Sequence, residues 1–181
     1  MWTWRWILVL AGIGALMLSS TMVKAQSLAE SDIEKELHCL ALNVYWEARS
    51  EPPEGQMAVA AVTLNRMLSD KFPDSICEVV TQGGQERNKC QFSWWCDGKK
   101  DDPTDAEAWE TARVVAWLSL LKGSYDPTRG ALYYHADYVK PSWSRSMRRT
   151  TRIGKHIYYL PRPRQLSVQF MPVKPGGKPL M

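Results

Sequence analysis

The stretch Asn43-Val44-Tyr45-Trp46-Glu47-Ala48-Arg49-Ser50-Glu51 sets one carboxylate, Glu47, between two aromatics and an arginine. Upstream, Ile33, Leu37, Leu40, Ala41, Val44 and Tyr45 recur close to the helical period. They predict an amphipathic helix capped by Ser31 or Asp32 and ending near Arg49. Downstream, Pro52-Pro53-Glu54 breaks the chain and opens a second helix. Proline is tolerated in a first turn, and an acid there complements the helix dipole. Glu47 therefore falls at the end of a helix, against an apolar wall. Such a wall disfavours the charged form and raises a carboxyl pKa. A carboxylic acid that stays protonated near neutrality can serve as a general acid. The competing reading is an ion pair between Glu47 and Arg49 or a nearby lysine.

The second helix, residues 54–68, carries Met57, Ala58, Val59, Ala60, Ala61, Val62 and Leu64, and is apolar on nearly all sides. It is expected to be the buried central helix. Asn65 and Arg66 near its end are unusual for a core helix, and are expected to brace Glu47 or to cap neighbouring backbone. Phe72-Pro73-Asp74-Ser75 reads as a turn, residues 76–80 as a short helix or extended piece, and residues 82–89 as a polar loop. Cys90-Gln91-Phe92-Ser93-Trp94-Trp95-Cys96-Asp97-Gly98 is an aromatic segment ending in an Asp-Gly turn. A third long helix is expected over residues 103–122, capped by Asp102 or Thr104 and stopped by Gly123. Residues 131–135 (ALYYH) and 156–160 (HIYYL) read as short aromatic strands of a small antiparallel sheet. Strand residues alternate faces, so Tyr133 and His135 share one face and Tyr134 takes the other. Which face meets a cleft is left open. The fold class is α+β and mostly helical, as one domain.

Residues 1–25 read as an export signal or a weak membrane anchor. Arg5 precedes an apolar run over residues 7–18 (ILVLAGIGALML), and Val23-Lys24-Ala25 fits a small-x-small cleavage site. The run is shorter than the roughly 20 apolar residues that a span requires. It is rich in Ala and Gly, so a tethered form with transient membrane association is the alternative to cleavage. Residues 26–160 form the expected catalytic domain, and residues 161–181 an extended Pro- and Gly-rich tail. Removing residues 1–25 lowers the formal charge from +4 to +2. The basic residues are uneven: residues 140–164 hold eight Lys/Arg and no acid. Such a block suits an anionic polymer, which for an exported chain is an envelope polymer rather than nucleic acid. Four cysteines in an exported chain read as disulfides. Of three connectivities, Cys90–Cys96 as a local staple with Cys39–Cys77 as a longer tie is favoured. No Cys-x-x-Cys occurs, and His38, His135 and His156 lack zinc-site spacing. No metal is expected.

Five ordered segments carry a resemblance. Residues 39–51 (CLALNVYWEARSE), 54–66 (EGQMAVAAVTLNR), 90–98 (CQFSWWCDG), 130–135 (GALYYH) and 153–159 (IGKHIYY) resemble the SleB-like cell-wall hydrolase family. The resemblance spans about two thirds of the chain. It implies a lysozyme-like, lytic-transglycosylase-like fold that uses no cofactor. Its implied substrate is peptidoglycan, cut between N-acetylmuramic acid and N-acetylglucosamine. Glu47 falls on the family's catalytic glutamate. A single-glutamate transglycosylase leaves 1,6-anhydro-muramic ends. A hydrolytic muramidase, as in a membrane-tethered phage-type endolysin, usually needs a second carboxylate, for which Glu51 is the first candidate and Glu54 the next. The single-glutamate route is favoured, because Pro52-Pro53 interrupts the helix that would align Glu51 with Glu47. Ser93, Gln91, Tyr133, Tyr134 and His135 are candidate substrate contacts. Trp94, Trp95 and Trp143 are candidate sugar platforms or core, and His156 is expected to be structural. Ser50 stands where the family often has glycine, which would cost stability if that backbone needed positive φ. A non-enzymatic wall-binding module, working through residues 140–164, is the alternative from a different class.

Overall fold

A computed structural model describes residues 30–87, 89–121 and 125–163. The expected export segment and nearly all of the expected tail lie outside them. Helix α1 covers residues 30–48. Ser31 and Asp32 lie within it rather than capping it, and Ile33, expected on the buried side, is exposed. Helix α2 spans Pro53–Met67, with proline in its first turn and Glu54 beside it. Helix α3 spans Ile76–Val80 and resolves the helix-or-extended alternative. Its start is clamped from α1. The Glu36 carboxylate accepts the N–H groups of Ile76 (2.6 Å) and Cys77 (3.1 Å), while Ser75 Oγ accepts from Glu78 N–H. These satisfy donors that a helix start leaves unpaired. The Cys39–Cys77 disulfide ties the same two elements, and Cys90–Cys96 closes the aromatic segment, so both favoured pairs form.

Helix α4 spans Ala106–Leu121, beginning later than expected. The buried Tyr45 hydroxyl accepts the N–H groups of Thr104 and Asp105, both at 3.1 Å. Asp105 Oδ1 then accepts Ala108 N–H at 3.0 Å. The cap is therefore Asp105, not Asp102 or Thr104. The expected stop at Gly123 lies outside the described residues.

Helix α2 is central because small apolar side chains (Ala58, Val59, Ala60, Ala61, Val62) let neighbours approach on both sides. Ala60 packs into a cluster with Leu40, Val44 and Tyr45 of α1, Val79 and Val80 of α3, and Ala112 and Ala116 of α4. On its other side Ala58 and Val62 meet Ile153 and Tyr158 of the sheet and Ala131, just before its first strand. Every such side chain that leaves water contributes at roughly 25 cal/mol per Å² of apolar surface.

The sheet has three antiparallel strands, β1 (Tyr133–Ala136), β2 (Met147–Ile153) and β3 (His156–Pro161), in the order β1-β3-β2. Strand β2 was not anticipated. Its sequence, MRRTTRI, is three-sevenths arginine, and its edge position lets it stay polar. The β2–β3 turn needs Gly154, whose φ is +55°; a Cβ there would lie 1.8 Å from Glu51 Oε2. At residue 50 the expected cost does not arise: among the described residues, Arg129 is the one non-glycine residue with positive φ.

Candidate active site

Glu47 sits in the last turn of α1 and is half-buried. Tyr134, from the middle of β1, donates its hydroxyl to Glu47 Oε2 at 2.9 Å. The open question of strand face is thereby answered. Tyr134 pairs in register with Tyr158, whose side chain belongs to the α2-facing cluster. Tyr133 and His135 point the other way, toward Trp143. Tyr134 rests against Tyr158 (ring centroids 5.7 Å apart) and edge-on to His156 (5.1 Å). Packed on two rings, its hydroxyl has a fixed aim.

Arg66 supplies the third component. It is only 2% exposed. Its Nε donates to Leu132 O at 2.8 Å, and its guanidinium lies 5.2 Å from the ring centres of Phe72 and Phe92 and 5.8 Å from Tyr133. These contacts offset the cost of burying a cation. Nη1 has no hydrogen-bond partner among the described residues. Asn65 donates to Asp126 Oδ2 (2.9 Å) and to Ala131 O (3.2 Å). Both residues thus cap the chain leading into β1, and Arg66 also places positive charge near Glu47.

Burial holds the Glu47 carboxyl above the usual carboxylate range; the Tyr134 hydrogen bond and the Arg66 charge pull in the opposite direction but do not prevail. Burial, then the Glu47 charge, pushes the Tyr134 phenol well above its ordinary range. Tyr134 therefore remains a donor. The arrangement is one carboxyl with raised proton affinity, aimed by one phenol and near one buried cation. It can deliver a proton to an oxygen and take one back.

The wall beside Glu47 is built by Asn43, one helical turn earlier on the same face of α1. Asn43 is fully buried. It donates to Thr63 Oγ1 at 2.9 Å and accepts from Trp94 Nε1 at 3.2 Å. Trp94 lies over Trp46, with centroids 6.4 Å apart and rings 23° from parallel. The short 3-10 helix Ser93–Cys96 is thereby fixed to the helix face that carries Glu47.

The sequence profile of the Cell Wall Hydrolase family matches residues 50–159. The spore cortex-lytic enzyme of Halalkalibacterium halodurans is 38% identical over 136 residues, which cover 75% of this chain and 38% of that protein. The spore cortex-lytic enzyme of Bacillus subtilis is 39% identical over 124 residues, covering 68% of this chain and 37% of that protein. Among solved structures, the catalytic domain of the germination-specific lytic transglycosylase SleB from Bacillus anthracis aligns with a TM-score of 0.54 at 34% identity. That alignment covers 69% of this chain and 93% of the solved domain. The chain belongs to the SleB-like cell-wall hydrolase family. It spans well under half the length of the curated relatives it matches, but nearly all of the solved catalytic domain. The α+β class expected from sequence, mostly helical with a small antiparallel sheet, is the class observed.

Within this family member the remaining predicted residues divide. Gln91 and Ser93 are exposed on the pinned segment. Trp94 is core, and Trp143 packs on Tyr133, His135 and Tyr159. His135 stacks on Tyr159, and its Nε2 lies 3.0 Å from the Tyr159 hydroxyl. His156 is buried beside Tyr134, and that burial lowers its pKa. Glu51 lies beyond the end of α1, and its Oε2 accepts Lys155 N–H at 2.9 Å. It is 7% exposed and anchors the β2–β3 turn. Sequence reading did not single out Asp126 or Asn43. Asp126 accepts from Thr128 N–H, Thr128 Oγ1 and Gly130 N–H. The Asp-x-Thr-x-Gly spacing was the available signal for a side chain organising its own turn.

Proposed function

We propose that this chain cleaves the glycan strand of peptidoglycan between N-acetylmuramic acid and N-acetylglucosamine, with Glu47 as general acid and then base. One observation carries the reading: a half-buried carboxyl of raised pKa, held by the Tyr134 hydroxyl at 2.9 Å. The protonated Glu47 gives its proton to the glycosidic oxygen as the bond from that oxygen to the muramic anomeric carbon breaks, and the N-acetylglucosamine leaves with a free 4-hydroxyl. The resulting carboxylate then takes the proton of the muramic acid's own 6-hydroxyl as that oxygen closes on the anomeric carbon. The product is a 1,6-anhydro-muramic end, and no second carboxylate is required.

The similarity to the Bacillus anthracis domain, a germination-specific lytic transglycosylase, supports this route. So does the position of Glu51. A hydrolytic muramidase uses a second carboxylate across the scissile bond, whereas the Glu51 carboxylate is nearly buried and bonded to the β2–β3 turn. The polar, exposed Gln91 and Ser93 and the half-buried Tyr134 are the proposed substrate contacts. Residues 1–25 are proposed to direct the chain into the cell envelope, where this polymer lies.

Replacing Glu47 with Gln keeps the side chain's size and removes its titratable proton. Release of sugars from purified walls is expected to fall by roughly 100- to 10,000-fold, while sedimentation with the walls persists. Undiminished release by Glu47→Gln would refute the assignment, and a wild type that binds walls without releasing sugar would favour a wall-binding module.

A further inference from the structure

The free edge of the sheet carries a second feature that proton transfer at Glu47 does not use. A surface cleft of about 820 Å³ is lined by Arg145, Arg148, Arg149, Arg162, Tyr159 and Met147. All four arginines are exposed. Among the described residues none of them takes part in an ion pair. Arg152, on the same strand, does: Asp137 holds it. The surrounding run, residues 140–164, contains no acid that could neutralise the four. Like charges gathered around one concavity raise its potential and attract an anion.

The cleft is built rather than incidental. Neighbouring strand residues normally point to opposite faces, yet Arg148 and Arg149 both line it. Arg148 pairs with Leu160 and Arg149 with Tyr159 in regular register, and their long side chains meet at the free edge of the sheet. Tyr159 is only 8% exposed and forms the floor. It is fixed by His135 Nε2 at 3.0 Å and by the Trp143 ring at 5.6 Å. The next residue back on β3 is Tyr158, which packs on Tyr134, the partner of Glu47. Strands lie about 4.8 Å apart, so the β2 edge runs about 10 Å from β1. One small sheet thus aims the catalytic carboxyl with Tyr134 from one face and presents guanidinium groups around Tyr159 on its other face, at the opposite edge.

We infer that the arginine cleft binds the carboxylates of the peptide stems carried by the glycan strand that Glu47 cleaves. The inference rests on the glycan-cleavage reading. That strand brings stem carboxylates to the protein whenever a sugar occupies the site. The planar, always-charged guanidinium fork matches a carboxylate with two parallel hydrogen bonds. An anionic membrane surface is the poorer fit: interfacial binding needs Trp, Phe or Leu inserted beside the cations, and the lining offers Met147, Pro163 and the nearly buried Tyr159 instead.

The test reads binding without turnover, using the full chain carrying Glu47→Gln. Sedimentation is measured with intact peptidoglycan sacculi and with sacculi whose carboxylates have been amidated by carbodiimide coupling. The parent is expected to bind intact sacculi at least about tenfold more tightly than amidated ones, and to lose that advantage near 0.5 M salt, where screening is short-ranged. Arg148→Gln with Arg149→Gln should reduce binding to intact sacculi to the amidated level. Arg145→Gln with Arg162→Gln, outside the β2 ladder, should do the same and guards against a strand variant that misfolds; melting curves check both. Variants that bind intact sacculi like the parent would overturn the proposal, as would equal binding to intact and amidated sacculi. A loss confined to vesicles of anionic phospholipid would overturn it in favour of a membrane surface. Failure of the cleavage reading shows separately, as absent sugar release by the wild type.

Discussion

At the scale of single residues, the site depends on a balance at Glu47. Burial favours its protonated form, while Tyr134 and Arg66 favour the ionised one. A general acid acts while protonated, so turnover is lost as pH rises through the Glu47 pKa. Tyr134→Phe removes the hydrogen bond that stabilises the carboxylate. The Glu47 pKa then rises further, and the alkaline limb of the pH–rate profile shifts to higher pH. The maximal rate is expected to fall by roughly tenfold, because the carboxyl loses its aim. A pH–rate profile on solubilised glycan checks both; an unmoved limb would mean that Tyr134 does not act through Glu47. The place of the carboxyl in the last turn of a helix was legible from the apolar period of α1; its partners Tyr134 and Arg66 are distant in sequence. The aim of Tyr134 was not legible, since alternation assigns it a face but only packing against α2 says which face is inside.

Glu51 tests the account at the scale of elements. It links the end of α1 to the β2–β3 turn through Lys155 N–H, and Gly154 leaves it room. Glu51→Gln keeps an acceptor oxygen for that bond. Turnover per folded molecule is expected to stay within about threefold, whereas a second catalytic carboxylate would cost 100-fold or more. Gly154→Ala is expected to destabilise by about 2 kcal/mol or more, since it combines positive φ with a contact on Glu51; urea unfolding measures it. Elements with a strong internal pattern were legible: α2 from its small apolar residues, β1 and β3 from their aromatics. Strand β2 was hidden because an edge strand of this composition shows no apolar alternation. The start of α4 was hidden because Tyr45, far back in the chain, holds the N–H groups of Thr104 and Asp105. No local signal reports a contact of that separation.

At the scale of the whole described chain, the long helices α1 and α4 and the short α3 pack around α2, with a small sheet closing the side that faces Glu47. Two disulfides secure this arrangement; the sequence favoured this pairing among three connectivities, and the packing of α1 on α3 selects it. The Cys39–Cys77 bond closes a loop of 38 residues between α1 and α3, worth about 4 kcal/mol in the chain-entropy model. Cys39→Ser with Cys77→Ser should lower the free energy of unfolding by about 3–4 kcal/mol, read as an earlier urea midpoint. Loss of activity should track loss of fold, because neither cysteine touches Glu47, Tyr134 or Arg66 in the contacts described.

The central claim is that Glu47 alone carries the proton transfers of glycan-strand cleavage. Mass spectrometry of the sugars released from purified peptidoglycan, with wild type and Glu47→Gln side by side, tests it most directly. The wild type is expected to release 1,6-anhydro-muramic ends and the variant none. Reducing muramic ends from the wild type, or anhydro ends from Glu47→Gln at the wild-type level, would contradict the claim.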